Sequence, residues 1–342
     1  MKRLLLLLSV LSLTSCLPDP PQPQPKAYEG TLVVGKISEN TTWYSDSIYT
    51  LRGRVIVEAG ASLTIEPGCI IKGEPGAGAM ASALLIARGA KLYAEGTPGA
   101  PIIFTTAADS IQPGQLVSPN LDEYANGLWG GLIVLGYAPI SASALPLQIE
   151  GIPSSEHNGL YGGTDSLDNS GIIRYVSIRH GGANIGSGNE INGLTLGGVG
   201  KGTVIENIEV VANQDDGIEF FGGNVNVTNV IVCNQGDDAF DVDQSWGGTL
   251  DNFVSIDGLD HALELDGAEG AMIDSFTMIN GTLFSQDTAQ CHFRDYAQGY
   301  ISITGVFNIE ADAGTNVVVD TNATGADLTK FDWTWAKAVG KL

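Results

Sequence analysis

Gly193-Leu194-Thr195-Leu196, Gly217-Ile218-Glu219-Phe220, Ala239-Phe240-Asp241-Val242 and Ala262-Leu263-Glu264-Leu265 are four copies of one pattern, a small residue before an apolar, polar, apolar triplet, spaced by 24, 22 and 23 residues. A period in the low twenties with short alternating runs is the spacing of a solenoid whose coils each contribute short strands. It predicts an all-β chain wound as a right-handed parallel β-helix. No single coil can bury its own inner face, so Ile218, Phe220, Phe240, Val242, Leu263 and Leu265 are expected to point inward and stack on their neighbours. A leucine-rich repeat would need a helical segment in each unit, and a propeller about twice this period.

The same grammar extends upstream. Arg54-Val55-Ile56-Val57, Ser62-Leu63-Thr64-Ile65 and Cys69-Ile70-Ile71-Lys72-Gly73 are short β-type runs broken by turn residues, and Ala83-Leu84-Leu85-Ile86, Ala90-Lys91-Leu92-Tyr93 and Ile102-Ile103-Phe104 repeat them. Residues 106–128 and 142–170 are polar and rich in Gly, Ser and Pro, and read as long loops leaving the coils. Residues 311–326 read as a further loop. Asp327 to Val339 reads as a short amphipathic helix, with Leu328, Phe331, Trp335 and Val339 near one face, placed to cap an open end of the solenoid.

The start of the chain gives an address. Lys2 and Arg3 precede an apolar run from Leu4 to Leu13, too short to span a bilayer, and Leu13-Thr14-Ser15-Cys16 follows. These residues resemble a bacterial lipoprotein signal, which implies cleavage before Cys16 and a lipidated cysteine anchoring the chain to a membrane. Residues 17–27 are proline-rich and suit an extended spacer. The expected organisation is therefore a signal peptide at 1–15, a lipidated tether at 16–29, the β-helix at 30–310, and a C-terminal loop and cap at 311–342. Cys69, Cys233 and Cys291 remain, and three thiols cannot all pair internally.

The full chain carries a formal charge of −23. Loss of residues 1–15 removes two basic residues and no acid, which makes the mature chain −25. Nucleic acid is thereby excluded as a partner, and so is attraction to anionic lipid. The partners expected are the membrane, through the N-terminal lipid, and an outer-membrane protein or a glycan.

The acids are organised. Residues 201–270 hold 15 of the 39 Asp and Glu, with Lys201 as the one basic residue there. Aligned on the repeat, Asp215, Asp237 and Asp260 form one column, and Asn192, Asp216, Asp238 and His261 the next. Glu219, Asp241 and Glu264 follow Thr195 in a third column facing away from the core, and Asp243 and Asp266 lie two residues on. Adjacent strands lie about 4.8 Å apart, and two charges at ~5 Å repel by about 3 kcal/mol at an effective dielectric of 20. A bound cation relieves this, and the ligand set expected is Glu219, Asp241, Asp243, Glu264 and Asp266. All-oxygen ligands suit Ca²⁺ better than Zn²⁺. The competing readings are carboxylates that are merely solvated, carboxylates paired with the long loops, and Asp and Asn chosen for tight turns.

Trp129-Gly130-Gly131-Leu132-Ile133, the run from Asn189 to Gly200, the Asp-Asp coils and Phe331-Asp332-Trp333-Thr334-Trp335-Ala336 resemble Bacteroidota β-helix lipoproteins. That resemblance covers most of the chain after the tether, and implies a pectate-lyase-like solenoid at the outer membrane with no established activity. A second resemblance concerns chemistry. Asn213-Gln214-Asp215-Asp216-Gly217, Gly236-Asp237-Asp238, Asp260-His261 and Arg294 are similar in order and rough spacing to the polygalacturonases. Carried over, it makes Asp238 the general acid, has Asp215 or Asp216 with Asp237 position water, and has His261 and Arg294 assist. This chain departs from that pattern: His261 sits in Asp-His-Ala, and Tyr296 takes the place of a lysine. The four histidines, His157, His180, His261 and His292, lie far apart in sequence and otherwise read as turn or core residues. Trp129 and Trp246, each before Gly-Gly, read as packing on turns ahead of sugar platforms. The leading expectation is a non-enzymatic binding or scaffold module, and the alternative a glycan hydrolase using the Asp-rich coils.

Overall fold

The computed structural model describes residues 30–78, 81–184, 191–284, 291–293, 301–306 and 323–342. Twenty strands join in one continuous sheet, and every pairing within it is parallel. The sheet winds into three faces. The first stacks Ala83–Ile86, Leu132–Leu135, Leu194–Gly197, Ile218–Phe221, Phe240–Asp243, Leu263–Leu265 and Cys291–Phe293 in order. The other two faces share longer strands, each bent near its middle, with the residues before the bend on the second face and those after it on the third: Gly171–Arg179, Val204–Val211, Val227–Cys233, Thr249–Ile256 and Phe276–Phe284.

The bend has a side-chain cause. Tyr175, Asn207, Asn229, Asn252 and Asn280 occupy it with φ between 50° and 58°, a left-handed conformation that asparagine tolerates better than most residues. The asparagines also bond along the stack. Asn229 Nδ2 donates to Asn207 Oδ1 at 3.2 Å, and Asn252 Nδ2 to Asn229 Oδ1 at 2.7 Å. Asparagine thus turns four of the five strands, and from Asn207 to Asn252 it also ties each strand to the next.

Inside, Ile218, Phe220, Phe240, Val242, Leu263 and Leu265 are fully buried in one continuous core, as the alternation predicts. Trp246 stacks on Phe220 at 4.2 Å between ring centroids, and Phe253 meets Phe240 edge-on at 5.4 Å. Trp129 and Trp246 are themselves buried, and their indole N–H groups donate to Arg179 O and Val225 O. They pack the turns and present no sugar platform.

The irregular segments coat the outside. The 142–170 loop lays Ile149, Ile152 and Tyr161 over Ile56, Leu85, Ile133 and Leu135 on the first face, forming a second apolar layer. It also holds a short antiparallel hairpin, Leu147–Gln148 with Leu160–Tyr161, where the sequence shows no strand pattern. The 106–128 loop covers early coils of the third face through Ile111, packed with Ile48, Ile70 and Ile103.

The C-terminal segment departs from the expected single helix. It forms a 3-10 turn at Leu328–Phe331 and one α-helical turn at Trp335–Ala338. Thr334, extended at φ −85° and ψ 159°, caps the second turn and so ends any continuous helix through 327–339. Phe331 and Trp335 are buried, whereas Leu328 and Val339 lie on the exposed side. The segment covers strands, as its aromatics suggest, but from the side: Phe331, Trp335 and Ala336 pack on Val211, Ile231, Cys233, Val254 and Ile256 of the third face. Glu209 Oε1 accepts the Ala336 N–H at 3.0 Å, and Lys341 pairs with Glu123 and Asp257 at 3.3 Å each.

Candidate metal site

One outward column of the first face can be followed through eight strands. Ile56, Leu85, Ile133, Thr195, Glu219, Asp241, Glu264 and His292 pair in that order. Its character changes where the apolar loop layer ends. Aliphatic residues give way to Thr195 and then to carboxylates, and the parallel column runs from Leu135 through Gly197 and Phe221 to Asp243. Tyr161 of the loop meets Phe221 edge-on at 6.0 Å and donates through its hydroxyl to Gln244 Oε1 at 2.9 Å. Gln244 Nε2 in turn donates to Glu269 at 3.0 Å.

All five expected ligands therefore share this face, but the oxygens that converge belong to a different set. Asp216, Glu219 and Asp241 each offer one oxygen within 4.8 Å of the others. The site thus sits nearer the turn before the strand, and takes Asp216 in place of Asp243, Glu264 and Asp266. Asn192 joins it: its Nδ2 donates to Glu219 Oε2, while its own Oδ1 is buried without a hydrogen-bond partner, as is Asp241 Oδ1. Asp216 Oδ1 accepts the Asp238 N–H at 3.0 Å.

Burial, and after it the charge of neighbouring carboxylates, pushes Asp216, Glu219 and Asp241 well above the usual carboxylate range. The same causes raise Asp243 to about 7, with Glu150 and Glu269 from the flanking loops among its neighbours. The leading causes of all four shifts are burial and neighbouring carboxylates, with no lysine or arginine among them. A Ca²⁺–oxygen bond of 2.3–2.6 Å places the oxygens of one coordination shell within about 5 Å of one another. Three carboxylates at that spacing fit a hard cation, which would offset the charge that burial disfavours on them.

The residues of the alternative catalytic reading also meet, at the turn entering this face. Asp215, Asp216 and Asp237 offer oxygens within 4.8 Å of one another, and carboxylate oxygens of Asp238 and Asp260 lie equally close to each other and to a ring nitrogen of His261. Asp238 repeats the role of Asp216 one coil on, its Oδ1 accepting the His261 N–H at 2.6 Å. Its carboxyl is raised to about 10, first by burial and then by Glu264, and burial followed by Asp260 raises Asp237. Arg294 and Cys16 lie outside the described residues. The histidines are less scattered than their numbering suggests, because coil winding brings His261 and His292 to a centroid separation of 4.9 Å. Asn192 stands in the sequence alignment of the turn column, but nothing there marks it as a ligand. Tyr161, Glu150 and Glu269 arrive from loops without periodicity, and no sequence signal places them at this face.

A family model described as a pectate-lyase like beta helix domain matches residues 35–329. Comparison with curated proteins and with solved structures finds no match. With parallel strands running from Thr31 to Thr304 and a family match over most of its length, this chain belongs to the pectate-lyase-like beta-helix domain family.

Proposed function

We propose that the protein is an outer-membrane lipoprotein whose β-helix acts as a non-enzymatic binding or scaffold module, with a Ca²⁺ site built into its acidic face. Envelope placement rests on the lipoprotein-like signal ending at Cys16, the proline-rich tether and the resemblance to Bacteroidota β-helix lipoproteins. The observation that carries the site is the convergence of Asp216, Glu219 and Asp241 beside the orphaned Oδ1 of Asn192. The lipid holds the module at the membrane, and the partner is an outer-membrane protein or a glycan.

The hydrolase reading has a specific weakness. A general acid must reach the glycosidic oxygen, yet Asp238 is 1% exposed and spends one oxygen on the His261 N–H. Asp216 is held in the same way by the Asp238 N–H. Both are positioned to staple coils together.

Thermal melting with Ca²⁺ and then with chelator tests the site. A ligand that binds only the folded state, supplied at about a hundred times its dissociation constant, stabilises by roughly 2.7 kcal/mol. The midpoint should rise by a few degrees with Ca²⁺ and fall back with chelator. An unchanged midpoint would leave the face as protonated or solvated carboxylates.

A further inference from the structure

We propose that the protein pairs with a second copy of itself, head to head, through the open strand edge at the N-terminal end of its solenoid. Residues 31–34 are the first rung of the third face and pair with residues 49–52 on one side. Thr41–Trp43 begins the second face in the same way, against residues 63–65. Among the described residues nothing pairs with the other edge of either strand, so a row of backbone N–H and C=O groups stands ready to extend the sheet.

The core is open at the same end. Val33 and Ile37 pack against it but are only partly buried, whereas Leu51 and Val57, their partners one rung on, are fully buried. Nor is the edge guarded against pairing. Residues 31–34 hold no charge and no proline, and the one lysine of the strand, Lys36, reaches away to Glu58 and Glu156 at 3.3 and 3.4 Å. Leu32 is 36% exposed and Val34 59%.

Charge selects the occupant. Residues 30–105 carry six acids and six lysines or arginines, whereas residues 201–270 carry 15 acids against Lys201. Contact between the distal halves would set acid against acid, and contact at the first coil sets neutral against neutral. Glu219 stands five rungs from Ile37 along the first face. At about 4.8 Å per rung, a head-to-head pair keeps its two acidic faces roughly 50 Å apart, several Debye lengths. The chain's own proline-rich stretch is a poor occupant, because Pro18, Pro20, Pro21, Pro23 and Pro25 have no N–H to give a ladder. A strand edge, by contrast, complements itself. About a two-fold axis normal to the third face, residues 31–34 run antiparallel to their mates, and the two half-covered core ends close on each other. The pairing requires neither the lipid nor the cation of the proposed function.

Sedimentation equilibrium of the full-length chain in a non-ionic detergent tests it. The wild type should form a dimer. Leu32→Lys and Val34→Lys each place like charges across the two-fold and should weaken it about tenfold or more. Both side chains are exposed, so melting midpoints matched to the wild type show that the fold is kept. Leu259→Lys puts the same charge on a 74% exposed side chain of the acidic half and should leave the dimer intact. Mixing Val34→Lys with Val34→Glu copies should restore association, because the two-fold brings each residue 34 within reach of its mate. A wild type that is monomeric at every concentration, or a dimer that neither lysine weakens, would overturn the proposal and leave the edge to a strand of another protein.

Discussion

Replacing Asp243 with Asn should stabilise the metal-free protein at pH 8 and leave it nearly unchanged at pH 4. Asp243 is half-buried on the acidic face, and its carboxyl is raised from 3.8 to about 7 by burial, then by Asp266, Glu269, Glu150 and Glu264. A raised carboxylate favours proton binding in the folded chain, so between the two values the native state holds more protons than the unfolded one. Stability therefore falls as pH rises through that window, with the full penalty above about 7 and none below the unfolded value. At about 1.4 kcal/mol per pH unit, displacement from 3.8 to about 7 amounts to on the order of 4 kcal/mol. Solvent screening at the exposed edge brings the expectation to about 2–4 kcal/mol. Asn keeps the shape and cannot ionise. Denaturant unfolding of chelator-treated wild type and Asp243→Asn at both pH values measures the difference directly. A variant less stable than wild type at pH 8, or equally stabilised at both, would show that Asp243 is not held as an ionisation-penalised carboxyl.

Glu209→Ala should cost about 3–5 kcal/mol, read by denaturant unfolding. Fully buried Glu209 accepts from Ser177 Oγ and Arg179 Nη2 and from the Ala336 N–H, so its loss strands a buried guanidinium and frees the C-terminal segment for earlier proteolysis. Cys16→Ala should convert a membrane-bound protein into a soluble one; retention of the variant in salt-washed membranes would contradict the lipid anchor. Purified protein should release no reducing ends from pectin or neutral glycans. Hydrolysis lost on Asp238→Asn with folding retained would favour the hydrolase instead.

Where one side of a strand meets the core and the other carries polar side chains, the sequence was easy to read. Ile218-Glu219-Phe220 and Phe240-Asp241-Val242 alternate cleanly, and so their register and outward column could be predicted. Where both sides are covered by apolar residues, alternation vanishes. Ala83-Leu84-Leu85-Ile86 lies between core and loop layer, and Val230-Ile231-Val232-Cys233 between core and C-terminal segment; all eight residues are buried. Continuous apolar runs of that kind mark strands buried on both faces, and they were the available signal that something packs outside. What packs there was hidden, because Ile149, Ile152 and Tyr161 sit in a segment without a period. The site was legible to the level of the face. The choice of Asp216 over Asp243 depends on how the turn before each strand aims its carboxylate, a matter of backbone geometry that spacing along the chain does not encode.

Equilibrium dialysis of the chelator-stripped protein against labelled Ca²⁺ tests the central claim most directly, with wild type, Glu219→Gln and Asp241→Asn compared at neutral pH. The convergence of Asp216, Glu219 and Asp241 predicts one bound equivalent in the wild type and loss of that equivalent in both variants, each still folded. No bound calcium in the wild type, or one equivalent that survives both substitutions, would contradict it.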